Sequence, residues 1–292
     1  MASLVVYPDP DPETNTVDGV VKRDTLVEAF STVRSGAGTS ADDSSSSLNI
    51  QIAANPASDY DRIYRAPLLF LTSSIPDDAT IDSATLEIYI TGKSDNLATA
   101  QSISLVKPTP ASNTTLVASD YNVANWDMTK QATDVTIASI TLNAYNTWTL
   151  NATGLGNISK TGVTKLGLVL SGDQSNTDPG WVANADASIT FQCAETTGTS
   201  QDPKLTVNYT IATTTSTTTS TSTTSTSSST TKTDTTTTTS TTSTSTSTTS
   251  TSTTSTSSST TSTSSSTTST SSSTTSTSST TTFPLGIAVD NV

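Results

Sequence analysis

The sequence predicts an all-β fold: a jelly-roll β-sandwich over residues 1–212, followed by a disordered Ser/Thr-rich C-terminal tail. Three observations lead there. Ten short runs rich in Val, Ile, Leu, Thr and aromatic residues recur before residue 212, with almost no helical periodicity between them. Turn-forming clusters such as Pro8-Asp-Pro-Asp-Pro, Gly36-Ala-Gly and Ile75-Pro-Asp-Asp separate those runs. From 213 to 282 every residue is Ser or Thr except Lys232 and Asp234, so about a quarter of the 292 residues has no apolar surface to bury.

Taken in order, the strands are expected at 4–7, 26–33, 48–53, 67–72, 84–91, 102–107, 146–150, 165–171, 188–193 and 204–211. The run 84–91 shows the pattern best. Leu86, Ile88 and Ile90 point one way and Thr85, Glu87, Tyr89 and Thr91 the other, the alternation of a sheet with one wet face. One short helix is expected at 155–160, between Gly154 and Gly162. Trp148 shares a strand face with Leu150 and reads as core. Trp126 and Trp181 stand beside loop signals, Asn122-Val-Ala-Asn-Trp-Asp and Asp178-Pro-Gly-Trp, and with Tyr121 they are the candidate exposed platforms for stacking a sugar ring.

The Ser/Thr tract 213–282 is expected to be a spacer. Ordering its backbone costs entropy that no apolar burial returns. As a flexible coil it spans about 5–6 Å × √70, roughly 45 Å, and sugars on its hydroxyls would extend it as in mucin-like stalks. Apolarity returns in 283–292. Phe283, Leu285, Ile287 and Val289 there form a candidate docking segment, suited to joining a neighbouring sheet as an added strand; the other reading is a remnant without a role.

Charge and composition exclude several function classes. The chain has 25 acidic and 12 basic residues, a net charge of −13, and only Lys232, Asp234 and Asp290 of these lie beyond residue 212. Such a surface repels phosphate backbones, so nucleic-acid binding is not expected. With no histidine, the Ser-His-Asp and Cys-His nucleophilic centres and imidazole zinc sites are all missing. The single cysteine, Cys193, sits in an alternating run and reads as a buried, inert thiol. No run approaches the roughly 18 apolar residues of a membrane helix. Met1-Ala-Ser-Leu-Val-Val-Tyr lacks a basic region followed by an apolar core, so no secretory signal is expected; a virion or extracellular location would then be reached another way, for instance inside a particle released by lysis.

Carboxylates are the one abundant reactive group. Glycoside hydrolysis needs two of them across a cleft. Most here fall in turn contexts, as in Asp77-Asp78 and Asp42-Asp43, where turn chemistry explains them, and no catalytic residue is assigned. Asp9, Asp11 and Glu13, and likewise Asp59 and Asp61, place acidic oxygens at alternate positions. That spacing suits a hard cation, so a structural Ca²⁺ is the candidate ligand of these five residues, with plain surface charge as the alternative. Asn113, Asn151, Asn157 and Asn208 fit the N-glycosylation acceptor pattern.

Several stretches resemble one family. Arg65-Ala-Pro-Leu-Leu-Phe-Leu-Thr-Ser-Ser-Ile-Pro-Asp-Asp-Ala-Thr-Ile-Asp-Ser-Ala-Thr-Leu-Glu-Ile-Tyr is similar to the central signature of DNRLRE-type domains, jelly-roll modules resembling carbohydrate-binding modules and related to disaggregatase-type repeats. The run from Tyr145-Asn-Thr-Trp to Lys165-Leu-Gly-Leu-Val-Leu resembles the family's second half, and Asp202-Pro-Lys-Leu-Thr-Val-Asn-Tyr its last strand. The segment 17–34 lacks a clear form of the first motif, and Leu168-Val169 stands where relatives carry Leu-Arg. The resemblance implies a β-sandwich, with Arg65 paired to an acidic neighbour and Pro76 setting a corner. It implies little about activity, because the family is attached to surface proteins, enzymes and virion proteins alike. One such module, a Ser/Thr tract and a short apolar end also resemble predicted structural proteins of bacteriophages.

The expectation is a non-enzymatic structural or adhesive protein of a virion or extracellular filament, displaying its head on the Ser/Thr stalk and joining itself or another structural subunit through 283–292. The alternative is a glycan-binding module of a cell-surface protein. No cofactor beyond the structural Ca²⁺ and no nucleic-acid or membrane partner is expected.

Overall fold

The computed structural model describes residues 1–24 and 27–212. The tract 213–282 and the segment 283–292, with Phe283, Leu285, Ile287 and Val289, lie outside the described residues.

The described chain is all-β and sandwich-like. Its strands are β1 (Ala2–Val6), β2 (Val20–Arg23), β3 (Ser40–Asp42), β4 (Ser47–Ala54), β5 (Tyr60–Leu71), β6 (Ala79–Asp95), β7 (Ser102–Pro108), β8 (Trp126–Asp127), β9 (Val135–Thr136), β10 (Ala144–Thr149), β11 (Val163–Leu170), β12 (Asp186–Gln192) and β13 (Lys204–Ile211). They join in the order β1-β13-β6-β12-β4-β5-β11-β7-β8, every pair antiparallel, with β10 on β6, β2 on β3 and β5, and β9 on β7. Three helices, each a turn or so long, are α1 (Phe30–Ser35), α2 (Ala152–Gly156) and α3 (Ser171–Ser175).

Two long strands organise the core. In β6 the alternation read from sequence holds, with Ala84, Leu86, Ile88 and Ile90 fully buried. Leu86 pairs with Trp148 of β10 on one side and Leu205 of β13 on the other, all three without exposed surface. The Trp148 indole N–H donates to the Ile103 carbonyl at 3.2 Å, so the ring is core and its polar atom is satisfied. Strand β5 changes partners along its length: its first half pairs with β4 and residues 66–71 pair with β11. Covered on both faces there, Leu68, Leu69 and Phe70 form a continuous apolar run instead of an alternating one.

Three expectations need correction. The run 26–33 is not a strand where described: Phe30 and Val33, three residues apart, share a helical face, and α1 packs Phe30 edge-on against Tyr60 with centroids 5.3 Å apart. The helix expected at 155–160 starts earlier, because the Asn151 side chain caps it by accepting from the Gly154 N–H at 3.0 Å. Strand β5 begins at Tyr60 and not at 67; Asp61, Arg62 and Arg65 disguised its first half as polar.

Candidate functional site

Polar chemistry gathers in three places, and β5 and β12 position all of them.

The first is the corner of β5, between the part that pairs with β4 and the part that pairs with β11. Arg65 is there with no exposed surface. Its Nε and Nη2 donate to the two carboxylate oxygens of Asp173 at 2.7 and 2.9 Å, and its remaining N–H groups reach the carbonyls of Arg34 at 2.8 Å and of Tyr121. Arg34 adds its Nε at 3.3 Å from the same carboxylate. The guanidinium carbon also lies 4.1 Å from the Tyr121 ring centroid and 6.0 Å from that of Trp126. The acidic partner expected for Arg65 is therefore Asp173, in the short helix that follows β11. Pro76 also makes its corner, accepting from the Ala79 N–H at 3.0 Å.

This corner corrects the stacking residues. Tyr121 is wholly buried and Trp126 is 6% exposed, so neither ring presents a face to a sugar. The segment between β7 and β8 folds over the end of the sheet. The Tyr121 hydroxyl donates to the Val33 carbonyl and the Trp126 N–H to the Asp120 carbonyl, at 2.8 and 2.9 Å. Both rings cover the protein's own buried cation.

The second place is a cleft of about 500 Å³ where β4, β5 and β12 come together. Gln51, Asn55, Asp61, Arg62, Asn184 and Asp186 supply its polar groups, and Val27 is exposed at its edge. Trp181 is half-buried and belongs here, its indole N–H donating to the Asn55 carbonyl at 2.8 Å. The Asn55 amide nitrogen is buried without a hydrogen-bond partner. Asp61 is held by the Arg62 guanidinium, with Nε at 2.9 Å. The Asp59 carbonyl accepts from the Asn55 N–H at 3.0 Å, closing the turn before β5. Asp61 thus serves an ion pair, and Asp59 closes the turn through its main chain.

The third place lies beyond the other end of β12, about 20 Å away at the rise of an extended strand. Here Asp18, Cys193 and Glu195 bring one ligand atom each to within 4.8 Å of one another. Asp18 is 1% exposed; its Oδ2 accepts from the Ala194 N–H at 3.2 Å, while Oδ1 has no partner. Both Glu195 oxygens and Oε1 of Glu13 are likewise buried without a hydrogen bond. Burial and then the neighbouring Glu195 push Asp18 well above the usual carboxylate range. Burial raises Glu195 to about 7, with Glu13 and Asp11 adding to the effect. Burial alone lifts Asp202, on the same cleft as Glu195, to about 6. Cys193 is a buried thiol, as expected, and burial raises its pKa too.

The predicted cation ligands therefore separate. Asp11 and Glu13 reach this third place, whereas Asp59 and Asp61 are at the opposite end of β12 and cannot share an ion with them. Burial tends to raise Asp9, but four hydrogen bonds from Thr14 and Asn15, the shortest at 2.7 Å, outweigh it and hold Asp9 low; its carboxylate closes its own turn. Asp18 and Glu195 were missed. Asp18 carried one signal, a lone charge inside the apolar Val17-Asp-Gly-Val-Val, but its meeting with Glu195 spans nearly the whole domain.

Neither a protein-family model nor a curated protein matches this chain. Among the described residues no helix is long and apolar enough to cross a membrane.

Proposed function

We propose that this protein is a non-enzymatic display module: a jelly-roll-type head carried on a hydroxyl-rich stalk, serving as a structural or adhesive part of a virion or extracellular filament. One observation carries the reading. The rings of Tyr121, Trp126 and Trp148 and the Arg65–Asp173 ion pair face inward, while the chain runs on from β13 into 68 serines and threonines and then an apolar decapeptide. A head, a spacer and a sticky end are the parts of a tethered subunit. The test is deletion of 283–292, followed by mass spectrometry of purified particles or filaments. The truncated chain should be lost from the assembly, and normal incorporation would overturn the docking role.

The cleft at β4, β5 and β12 favours glycan binding as the second reading. It combines amides, carboxylates and a guanidinium, and Trp181 is hydrogen-bonded to the Asn55 carbonyl at its edge, a mixture that suits a sugar's hydroxyls beside an apolar ring. A glycan array with the full chain and with Trp181→Ala decides it. Binding lost in the variant supports this reading, and no binding by either removes it.

A further inference from the structure

We propose that Asp18 and Glu195 form a Ca²⁺ site, with Glu13 as a further acidic neighbour of Glu195, that ties the segment before β2 to the segment after β12. The oxygens without hydrogen bonds, Oδ1 of Asp18, both of Glu195 and Oε1 of Glu13, are buried, and a buried carboxylate oxygen without a donor is costly. The Asp18 side chain is nearly sealed from solvent, so bulk water does not reach it freely. None of the ion pairs among the described residues involves these three carboxylates. Asp11 and Asp43 add negative charge beside Glu13. The spacing also fits: ligand atoms opposite one another around Ca²⁺ at the usual 2.3–2.6 Å are about 4.6–5.2 Å apart, and those of Asp18 and Glu195 fall within 4.8 Å.

The donor set selects a hard cation. Cys193 is the one soft atom nearby, and burial raises its pKa, which keeps the thiol protonated and a poor ligand beside the carboxylate oxygens. Three carboxylate oxygens, Oδ1 of Asp18 and both of Glu195, with three or more further oxygens from water or the main chain, make the six to eight ligands that Ca²⁺ takes, whereas Mg²⁺ demands a tighter octahedron. Bound there, the ion replaces repulsion between Asp18 and Glu195 with a bridge between chain segments more than 170 residues apart.

The test uses the full chain, stripped with EDTA and titrated with Ca²⁺, Mg²⁺ or Zn²⁺ at pH 7.5, reading Tm and the heat of binding. At a hundredfold excess over Kd, Ca²⁺ should raise Tm by about 5–10 °C. Asp18→Asn and Glu195→Gln should abolish that rise and yet unfold in EDTA at or above the wild-type temperature, because each removes a repulsive charge; this separates loss of the site from loss of the fold. Asp61→Asn, at the far end of β12, should keep the full rise. No Ca²⁺-dependent shift in the wild type, a shift unchanged in Glu195→Gln, or a larger response to Zn²⁺ that Cys193→Ser removes would each overturn the proposal.

Discussion

Asp173→Ala probes the corner on which the sandwich turns. The carboxylate it removes is 1% exposed and is the partner of Arg65, a guanidinium with no exposed surface, and of Arg34. The substitution leaves a buried charge whose other contacts are two carbonyls and two rings. Breaking a buried pair from one side costs about 3–5 kcal/mol. For a domain of this size each kcal/mol lowers Tm by about 2–4 °C, so thermal unfolding followed by circular dichroism should move down by roughly 6–20 °C. Replacing both partners, with Arg65→Met and Asp173→Leu together, removes the stranded charge but leaves the Tyr121 and Arg34 carbonyls without a donor, so recovery should be partial. Lys130→Ala supplies the contrast. Its partner Asp134 is four residues away and the lysine is 44% exposed, so the change should stay under about 0.5 kcal/mol. If Asp173→Ala and Lys130→Ala shifted Tm equally, the corner would not depend on the buried pair.

In EDTA, stability should fall as pH rises from about 5 to 8. The folded state binds protons on Asp18, Glu195 and Asp202 more tightly than the unfolded chain does, so the stability they contribute is present below the ordinary carboxylate range and is lost through about 6 and about 7. A Tm that climbs between pH 5 and 8 without divalent cations would contradict this, and Glu195→Gln should flatten the upper part of the curve. Gly167→Ala should cost about 1–3 kcal/mol by overpacking, since an added Cβ would stand 2.7 Å from Trp126 Cζ3 and 3.1 Å from the Ala66 carbonyl; a urea midpoint equal to wild type would show that β11 yields there at no cost.

The alternation in β6 and the apolar run at the end of β5 were legible because each states how a strand is covered, on one face or on both. The roles of Trp148 and Cys193 could be read for a similar reason: a large ring on an apolar strand face and a lone thiol in an alternating run each have one favourable environment, whereas the acidic partner of Arg65 came from the resemblance. Phe30 and Val33 were misread because a single helical turn is too short to set a period. Trp126 and Tyr121 were misread because loop residues around a ring say nothing about what the loop folds onto.

By itself the sequence determined the all-β class and the exclusion of imidazole chemistry, since these follow from composition and from periods of two residues. Tertiary structure alone decided which carboxylates meet. Asp18 bridges β5 and Glu195 follows β12, so only the pairing of β12, β4 and β5 brings the two together, while the same strands carry Asp59 and Asp61 to the opposite end. Local spacing places residues along one strand, but only the pairing of distant strands places charges against one another, and burial then fixes whether they hold protons, a guanidinium or an ion.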